Sequence, residues 1–556
     1  MSAETAAQGV RIEVKKRHTC LSPGIWCYKA GAAFRRPDTM MRERTTTMEL
    51  EFDRDMICGY DTVAEVTLCQ EETLESIVPD ACPDIERIVD VCGQATLSGK
   101  QAGSGMATVS GMVRVSVLYQ PEGGGSLRHI ELGLPFTCQV EAPGLTEQGV
   151  VLAEPRLRCA EARALNPRKV LLRVDLAVDV TACQPVQRPV CCGILNGEQA
   201  GICQRQYHGE SYELAAVQEK PFTFSDQIRL QGNQNETPQL LAVQATPICA
   251  ESKLIGSKLI FKGLVEVSML LQEAGGGLST ARESLPFSQV MEIPQGGEDG
   301  DCQVRVELTD LRCEPEQGDP RNLEVALELL AQAQVHCRRP VTLLQDVYST
   351  SCQMEVGSKA QTLCQFGEQS IRTQTVRELL ETGEMVRGIA ASRLSLGQVT
   401  QSREGAQLLL TVESWLTILY LDEGEQVQCL RKMMPVTCRL DCPEGYRCTC
   451  TCTCPGEVFA APAAGGIEVR FSLDFHCLTV STFQVAAVEQ AKLGEPRTAG
   501  EGTRPSVVLR LPVQGEGIWE IAKSYGTTME EIIQANELEG EELPLGKMLL
   551  IPGVRG

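Results

Sequence analysis

Apolar and polar residues alternate along Met112-Val113-Arg114-Val115-Ser116-Val117-Leu118-Tyr119, the period-2 pattern of a strand with one buried face. The chain writes this stretch three times. The second version is Val265-Glu266-Val267-Ser268-Met269-Leu270-Leu271, and the third is Val412-Glu413-Ser414-Trp415-Leu416-Thr417-Ile418-Leu419-Tyr420. Each leads into a glycine-rich or acidic turn: Gly123-Gly124-Gly125, Gly275-Gly276-Gly277 or Asp422-Glu423-Gly424. Each then reaches a proline, in Leu134-Pro135-Phe136, Leu285-Pro286-Phe287 and Met434-Pro435-Val436. Pro135 and Pro286 are 151 positions apart, and Pro286 and Pro435 are 149 apart. Agreement at two landmarks defines a three-fold internal repeat. Its length is that of a whole domain, not of a solenoid unit.

Leu157-Arg158-Cys159 recurs as Leu311-Arg312-Cys313, and Asn166-Pro167-Arg168 as Asp319-Pro320-Arg321. A closing strand follows in each copy: Val170 to Val178, Leu323 to Leu329, and Ile467 to Phe475, all alternating. The pattern predicts a mainly β protein of three tandem β-rich domains, at 48–192, 193–343 and 344–488. Residues 489–506 have no periodicity and many Gly, Glu, Pro and Thr, and read as a linker. Residues 507–553 then predict a small α+β unit of order strand, helix, helix, strand. Val507–Val513 is the first strand. Ile518 to Tyr525 has helical spacing and a glycine stop at Gly526; Thr527-Thr528 opens a second helix that ends at Asn536. Leu545 to Pro552 is the closing strand.

The 556 residues suffice for several domains with real cores, and 43% hydrophobic with 22% charged content is ordinary for a folded chain. A net charge of −22 argues against nucleic acid or anionic membrane as a partner. No apolar run approaches the roughly 18 residues of a membrane span, and no signal-peptide core is visible, so the expected address is the cytoplasm. Residues 1–47 differ from the rest, with nine Lys or Arg against four acids. They read as an unfolded tail or a mis-assigned upstream start, with a functional basic arm as the alternative.

Several of the 26 cysteines recur with the repeat: Cys159 with Cys313, Cys138 with Cys438, and Cys183 with Cys337 and Cys477. Recurrence of this kind is explained by small buried core residues. Cys448, Cys450, Cys452 and Cys454 are different, four thiols at period 2. On an extended strand they share one side, roughly 7 Å between neighbours, too far apart for one tetrahedral zinc. They read as filler of a polar loop, with oxidative cross-linking or metal binding as alternatives. The pairs His336-Cys337 and His476-Cys477 invite a nucleophile reading. Copy one has Ala182-Cys183 there, so a core position of the last strand explains them better. No phosphate loop, His-Glu-x-x-His or Gly-x-Ser-x-Gly occurs. No catalytic residue, metal or cofactor is expected, and the chain reads as a non-enzyme.

Two resemblances add to this. Val78-Pro79-Asp80, Pro83-Asp84-Ile85-Glu86-Arg87-Ile88, the Val-Ser-Val-Leu-Tyr strand and Leu134-Pro135-Phe136 resemble the DUF3794 (SPOCS) domain of spore-forming Firmicutes. Copies two and three join it by internal repetition. Gly515, Ile518-Trp519, Ile521-Ala522, Tyr525-Gly526-Thr527, Ile532, Asn536, Gly546 and Leu550-Ile551-Pro552 resemble LysM, the glycan-binding module. The usual Gly-Asp-Thr is here Gly515-Glu516-Gly517. Three such β domains and a terminal LysM resemble clostridial spore-coat morphogenetic proteins. The resemblance implies a structural adaptor in the mother cell cytoplasm, at the forespore surface, whose LysM holds the coat's basement-layer ATPase. The alternative is peptidoglycan binding at the wall or cortex. Either way the implied face is Gly515, Glu516, Gly517, Ile518, Leu538, Glu539 and Gly540, with Glu516 and the Glu539, Glu541 and Glu542 cluster solvated. Trp519 is expected to serve the small core.

Overall fold

The alternating stretch of each copy becomes the central strand of a three-stranded antiparallel sheet in the computed structural model. The structure describes residues 50–197, 201–230, 238–273, 275–294, 300–316, 319–497, 507–513, 515–543 and 546–553. The basic segment 1–47 and the 498–506 part of the expected linker lie outside these residues.

Copy one consists of β1 (Phe52–Ile77), β2 (Ile85–Gly103), β3 (Met106–Pro121), β4 (Arg128–Glu141), β5 (Val150–Asn166) and β6 (Lys169–Ile194). They form two sheets, ordered β2-β3-β4 and β1-β6-β5, whose inner faces bury Val113, Val115 and Val117 against Leu172, Val174 and Leu176. Copy two repeats this with β7 (Ile202–Arg229), β8 (Gln239–Ile255), β9 (Lys258–Gln272), β10 (Leu278–Glu292), β11 (Asp301–Glu316) and β12 (Asp319–Ser349). Copy three has β13 (Cys352–Glu381), β14 (Gly388–Glu404), β15 (Gln407–Leu421), β16 (Val427–Asp441), β17 (Tyr446–Thr453), β18 (Phe459–Ala463) and β19 (Gly466–Pro496). Their sheets are ordered β8-β9-β10 with β7-β12-β11, and β14-β15-β16 with β13-β19-β17, β18 also pairing β19. The mainly β reading holds.

The repeated Leu-Pro-Phe has a packing cause. Phe136 lies opposite Gly111, and Phe287 opposite Gly263. A Cβ on either glycine would come within 2.3 Å or 2.6 Å of the ring. Copy three places Val412 opposite Val436 at this position, exchanging a large–small pair for two of middle size. The Val78–Asp84 stretch is a turn fastened by one side chain. Arg168 donates to the carbonyls of Val78, Pro79 and Cys82 and to the carboxylates of Asp80 and Asp84, at 2.7–3.2 Å. Five acceptors converge on a guanidinium whose planar fork suits them.

β1 with β6, β7 with β12, and β13 with β19 stay paired over their full lengths and run beyond the sandwiches as three ribbons. Val190, Val341, Leu343, Leu363, Val485 and Ala487 form one apolar cluster between them, and Ile194, Leu344, Val347, Val488 and Ala491 belong to the next. The ribbons therefore make a stalk with its own core. The expected domain edges at 192, 343 and 488 fall inside these strands. In particular, Glu489 to Pro496 is strand and not linker. Val356 pairs Ala491, Met354 pairs Leu493 and Cys352 pairs Pro496, and burial of Val488 and Ala491 outweighs the turn-prone composition.

Away from the stalk the copies close on one another around a shared apolar cluster. Val89, Leu118 and Leu127 of copy one meet Leu241, Leu270 and Leu278 of copy two and Ala390, Leu419 and Val427 of copy three. Each copy contributes equivalent residues. Arg114–Asp310 joins copies one and two, Arg158–Glu413 joins one and three, and Arg282–Glu457 joins two and three. The ring is closed. Deepest in the seam of copies one and three is Asp90, which pairs with Arg393 at 2.7 Å and Arg431 at 2.8 Å. Burial pushes the Asp90 carboxyl up, but the two guanidiniums override it and hold it well below the usual carboxylate range.

Candidate functional site

The last unit follows the expected order: β20 (Val507–Arg510), α1 (Ile518–Tyr525), α2 (Met529–Ala535) and β21 (Leu549–Pro552). Gly526, at φ +68°, ends α1 with its N–H on the Ala522 carbonyl, a conformation glycine adopts without a Cβ penalty. α2 opens with a capping box between Thr528 and Glu531. The Asn536 side chain donates to the carbonyls of Ile532 and Leu550 and accepts from the Leu550 N–H, tying α2 to β21. Ile518, Trp519, Ile521, Ala522, Ile532, Leu549 and Ile551 form the core.

The seven expected face residues divide. Gly515, Glu539 and Gly540 are exposed. Gly515 has φ +87° and open space around it. Gly517 is the N-cap of α1 and supplies no side-chain cap. Ile518 is only 3% exposed, so its side chain is given to the core, and half-buried Leu538 packs against the same cluster. Nor is Glu516 a solvated acid. It pairs with Arg510 at 2.5 Å and accepts the Val513 N–H at 3.2 Å. Arg510 is fixed by stacking on Tyr525, with its guanidinium carbon 5.4 Å from the ring centre. A cation held at the mouth of a tight loop captures the nearest carboxylate, which the spacing of Gly-Glu-Gly does not reveal.

Trp519 is in the core as expected, and it does more. Its ring packs edge-on against Tyr348, with centroids 4.9 Å apart, and its Nε1 donates to Asp346 at 2.8 Å. Lys523 Nζ lies 2.7 and 2.8 Å from the two Asp346 oxygens. Tyr348 donates to the Thr527 carbonyl, and Arg205 pairs with Glu520. Burial pushes the Asp346 carboxyl up, yet the Lys523 ammonium and Trp519 N–H lower it overall. The unit thus sits on the stalk end of β7 and β12 through α1. Nothing in the local sequence of either partner signals this, since each reads as complete alone.

The remaining chemistry-bearing residues fall where the β pattern puts them. Cys183, Cys337 and Cys477 are buried in the last strands. His336 stacks on Tyr212, and His476 shares a 3.1 Å hydrogen bond with Thr453. Cys448, Cys450 and Cys452 lie on β17, and with Cys454 they pack against the core of copy three. This corrects the polar-loop reading: a strand with thiols on its inner face replaces a loop. Among the described residues no group of three or more His, Cys, Asp or Glu is placed to hold a metal. No described helix is long and apolar enough to cross a membrane.

Fold and site together define a tandem β protein that carries a small βααβ recognition module. The family model described as SipL, SPOCS domain matches residues 84–163 and 238–316, and the LysM domain model matches residues 513–552. No curated protein matches the chain. The two SPOCS segments span β2 to β5 and β8 to β11. Copy three, outside the match, repeats their sheet order. The chain thus carries two segments similar to the SPOCS domain and a C-terminal segment similar to the LysM domain.

Proposed function

We propose that this protein is a non-enzymatic structural adaptor of spore-coat assembly. It acts in the mother cell cytoplasm at the forespore surface, and its LysM module grips a coat-morphogenetic protein, the basement-layer ATPase of the family resemblance. The observation that carries this reading is a bare aliphatic face. Val507, Leu509, Leu511 and Val513 are 45–66% exposed, and Met548 is 68% exposed. Val508 packs into the core, so by strand alternation Val507 and Leu509 of β20 point away from the helices, and Leu511 and Val513 continue the exposed run past the strand's end. A contiguous apolar stripe of this kind marks a protein contact. Among the described residues β20 pairs only with β21, which leaves its outer edge for an added strand. Glu537, Glu539, Glu541 and Glu542 are exposed acids of the same module. The fitting partner presents an extended segment of apolar residues flanked by basic ones.

A second reading, peptidoglycan binding, is favoured by the loops at Gly515–Gly517 and Glu539–Gly540. Among the described residues the stalk contacts fall on α1 and Thr527 and leave these loops clear. Full-length chain carrying Leu509→Asp and Leu511→Asp should lose capture of the purified coat ATPase while keeping its melting temperature, both changes being at exposed sites. Wild-type chain that ignores the ATPase but sediments with purified peptidoglycan, with or without the two changes, would overturn the adaptor reading in favour of the glycan.

A further inference from the structure

The cysteine ladder of β17 has a partner across the sheet. Cys450 lies directly opposite Cys477 of β19, and their Sγ atoms are 3.7 Å apart. Directly opposed residues of an antiparallel pair have Cα atoms about 4.5–5.5 Å apart, inside the roughly 4.4–6.8 Å that a disulfide spans. The other copies provide an internal comparison. Each has the same last-strand cysteine, but Cys183 faces Val150 and Cys337 lies beside Gly300. Among the described residues copy three sets a second thiol directly opposite, whereas in copy two Cys302 stands across from Val335, two residues from Cys337. β17 is an edge strand. Cys450 is half-buried, whereas Cys477 is closed off by the core. Shared contacts with the Cys448 and Cys450 thiols hold Cys477 below its ordinary pKa, although burial works the other way, and the Cys477 contact together with burial pushes Cys450 up.

We propose that Cys450 and Cys477 form a built-in oxidation site, converted to a cross-strand disulfide by a low-molecular-weight disulfide. Cys450, the more accessible thiol, passes its proton to the Cys477 sulfur beside it, which hands it on to the small leaving group, and attacks one sulfur of the external disulfide. A mixed disulfide forms and one small thiolate leaves. Cys477, as thiolate, then attacks the Cys450 sulfur, forming the Cys450–Cys477 bond and expelling the second small thiolate. The two protons given up by the cysteines end on the two small thiols. Two electrons pass from the protein to the reagent. The product staples the edge strand to the centre of its sheet and closes the loop that carries β18.

The test uses the full-length chain and glutathione disulfide. After oxidation, alkylation and tryptic digestion without reduction, the peptide Cys448–Arg470 should be recovered linked to Phe471–Lys492. Fragmentation should place the bond at Cys450. Amide exchange across Tyr446–Thr453 should slow by about tenfold or more on oxidation and return to its starting rate on reduction. Cys450→Val, which copies Val150 of copy one, should abolish both the linked peptide and the redox dependence of exchange. Recovery of Cys477 as a free thiol while exposed Cys69 is fully oxidised would overturn the proposal, as would a bond placed at Cys448. The wild-type map decides the matter by itself should the variant misfold.

Discussion

His336 sits against Tyr212 with ring planes 10° apart and centroids at 5.2 Å, and its buried Nδ1 has no hydrogen-bond partner among the described residues. Burial pushes the imidazole down to about 4, against an upward pull from Asp301. An unfolded histidine titrates near 6.5, so the unfolded chain takes up a proton that the fold refuses. The neutral ring's contribution is therefore complete above about pH 6.5 and is lost as pH falls toward 4. The upper bound is about 3 kcal/mol. His336→Phe keeps the ring stack and removes the titration. Urea unfolding at pH 7.5 and pH 4.5 should show a loss for wild type that the variant lacks. Equal losses in both would place the pH sensitivity elsewhere. This residue was legible only in part. Its last-strand position, with Ala182 as the copy-one equivalent, told against a nucleophile. The stack with Tyr212 joins β12 to β7 across more than a hundred residues, and no local pattern reports it. Glu516 escaped for the same reason, since its partner Arg510 is held by a third residue, Tyr525.

At the scale of elements, periodicity read the strands well where one face is packed and poorly where packing comes from far away. Met112–Tyr119 and its two echoes announce themselves because their own alternation faces their own core. Glu489 to Pro496 does not, because its order comes from β13 and from the neighbouring ribbons. The seat of the LysM module belongs to the second kind. Trp519 contributes to the module's core and, through Asp346, to its attachment, and two variants separate these roles. Trp519→Ala removes a ring from a very small core and should unfold the module, at a cost of about 3–5 kcal/mol. Asp346→Ala leaves that core intact but strips Trp519 and Lys523 of their acceptor, a loss of about 1–3 kcal/mol at the seat. It should speed amide exchange along α1 and shift the Trp519 emission to the red, while the unfolding of the β body stays unchanged. A module whose exchange is the same with and without Asp346 would show that the seat is not what holds it.

The three copies form a ring of three sandwiches continued by a shared stalk. The repeat made the three domains visible, but not their closure on one another. Leu118, Leu270 and Leu419 are read from the sequence as equivalent, and only the fold brings them into one cluster. The ring is also where charge is buried most deeply. Asp90 is 1% exposed and faces two guanidiniums from copy three, and Arg431 also donates to the Ala160 carbonyl of copy one. Removing one member of a buried ion cluster leaves the others desolvated and uncompensated, which costs about 3–5 kcal/mol. Asp90→Asn keeps the shape and a hydrogen-bond acceptor but leaves Arg393 and Arg431 without a counter-charge. It should open the seam between copies one and three, so that exchange rises in β2 and β14 before the sandwich cores are lost. The pH response has a definite sign. Because the folded carboxyl lies well below an unfolded aspartate near 3.9, its contribution is present throughout the neutral range. It is lost only as pH falls below about 4 toward the folded value. Wild type should therefore keep β2 and β14 protected at pH 5 and lose that protection only in stronger acid, whereas Asp90→Asn should expose them at pH 7. Equal protection of β2 and β14 in wild type and variant at pH 7 would mean that the apolar cluster, and not the ion triad, closes the ring.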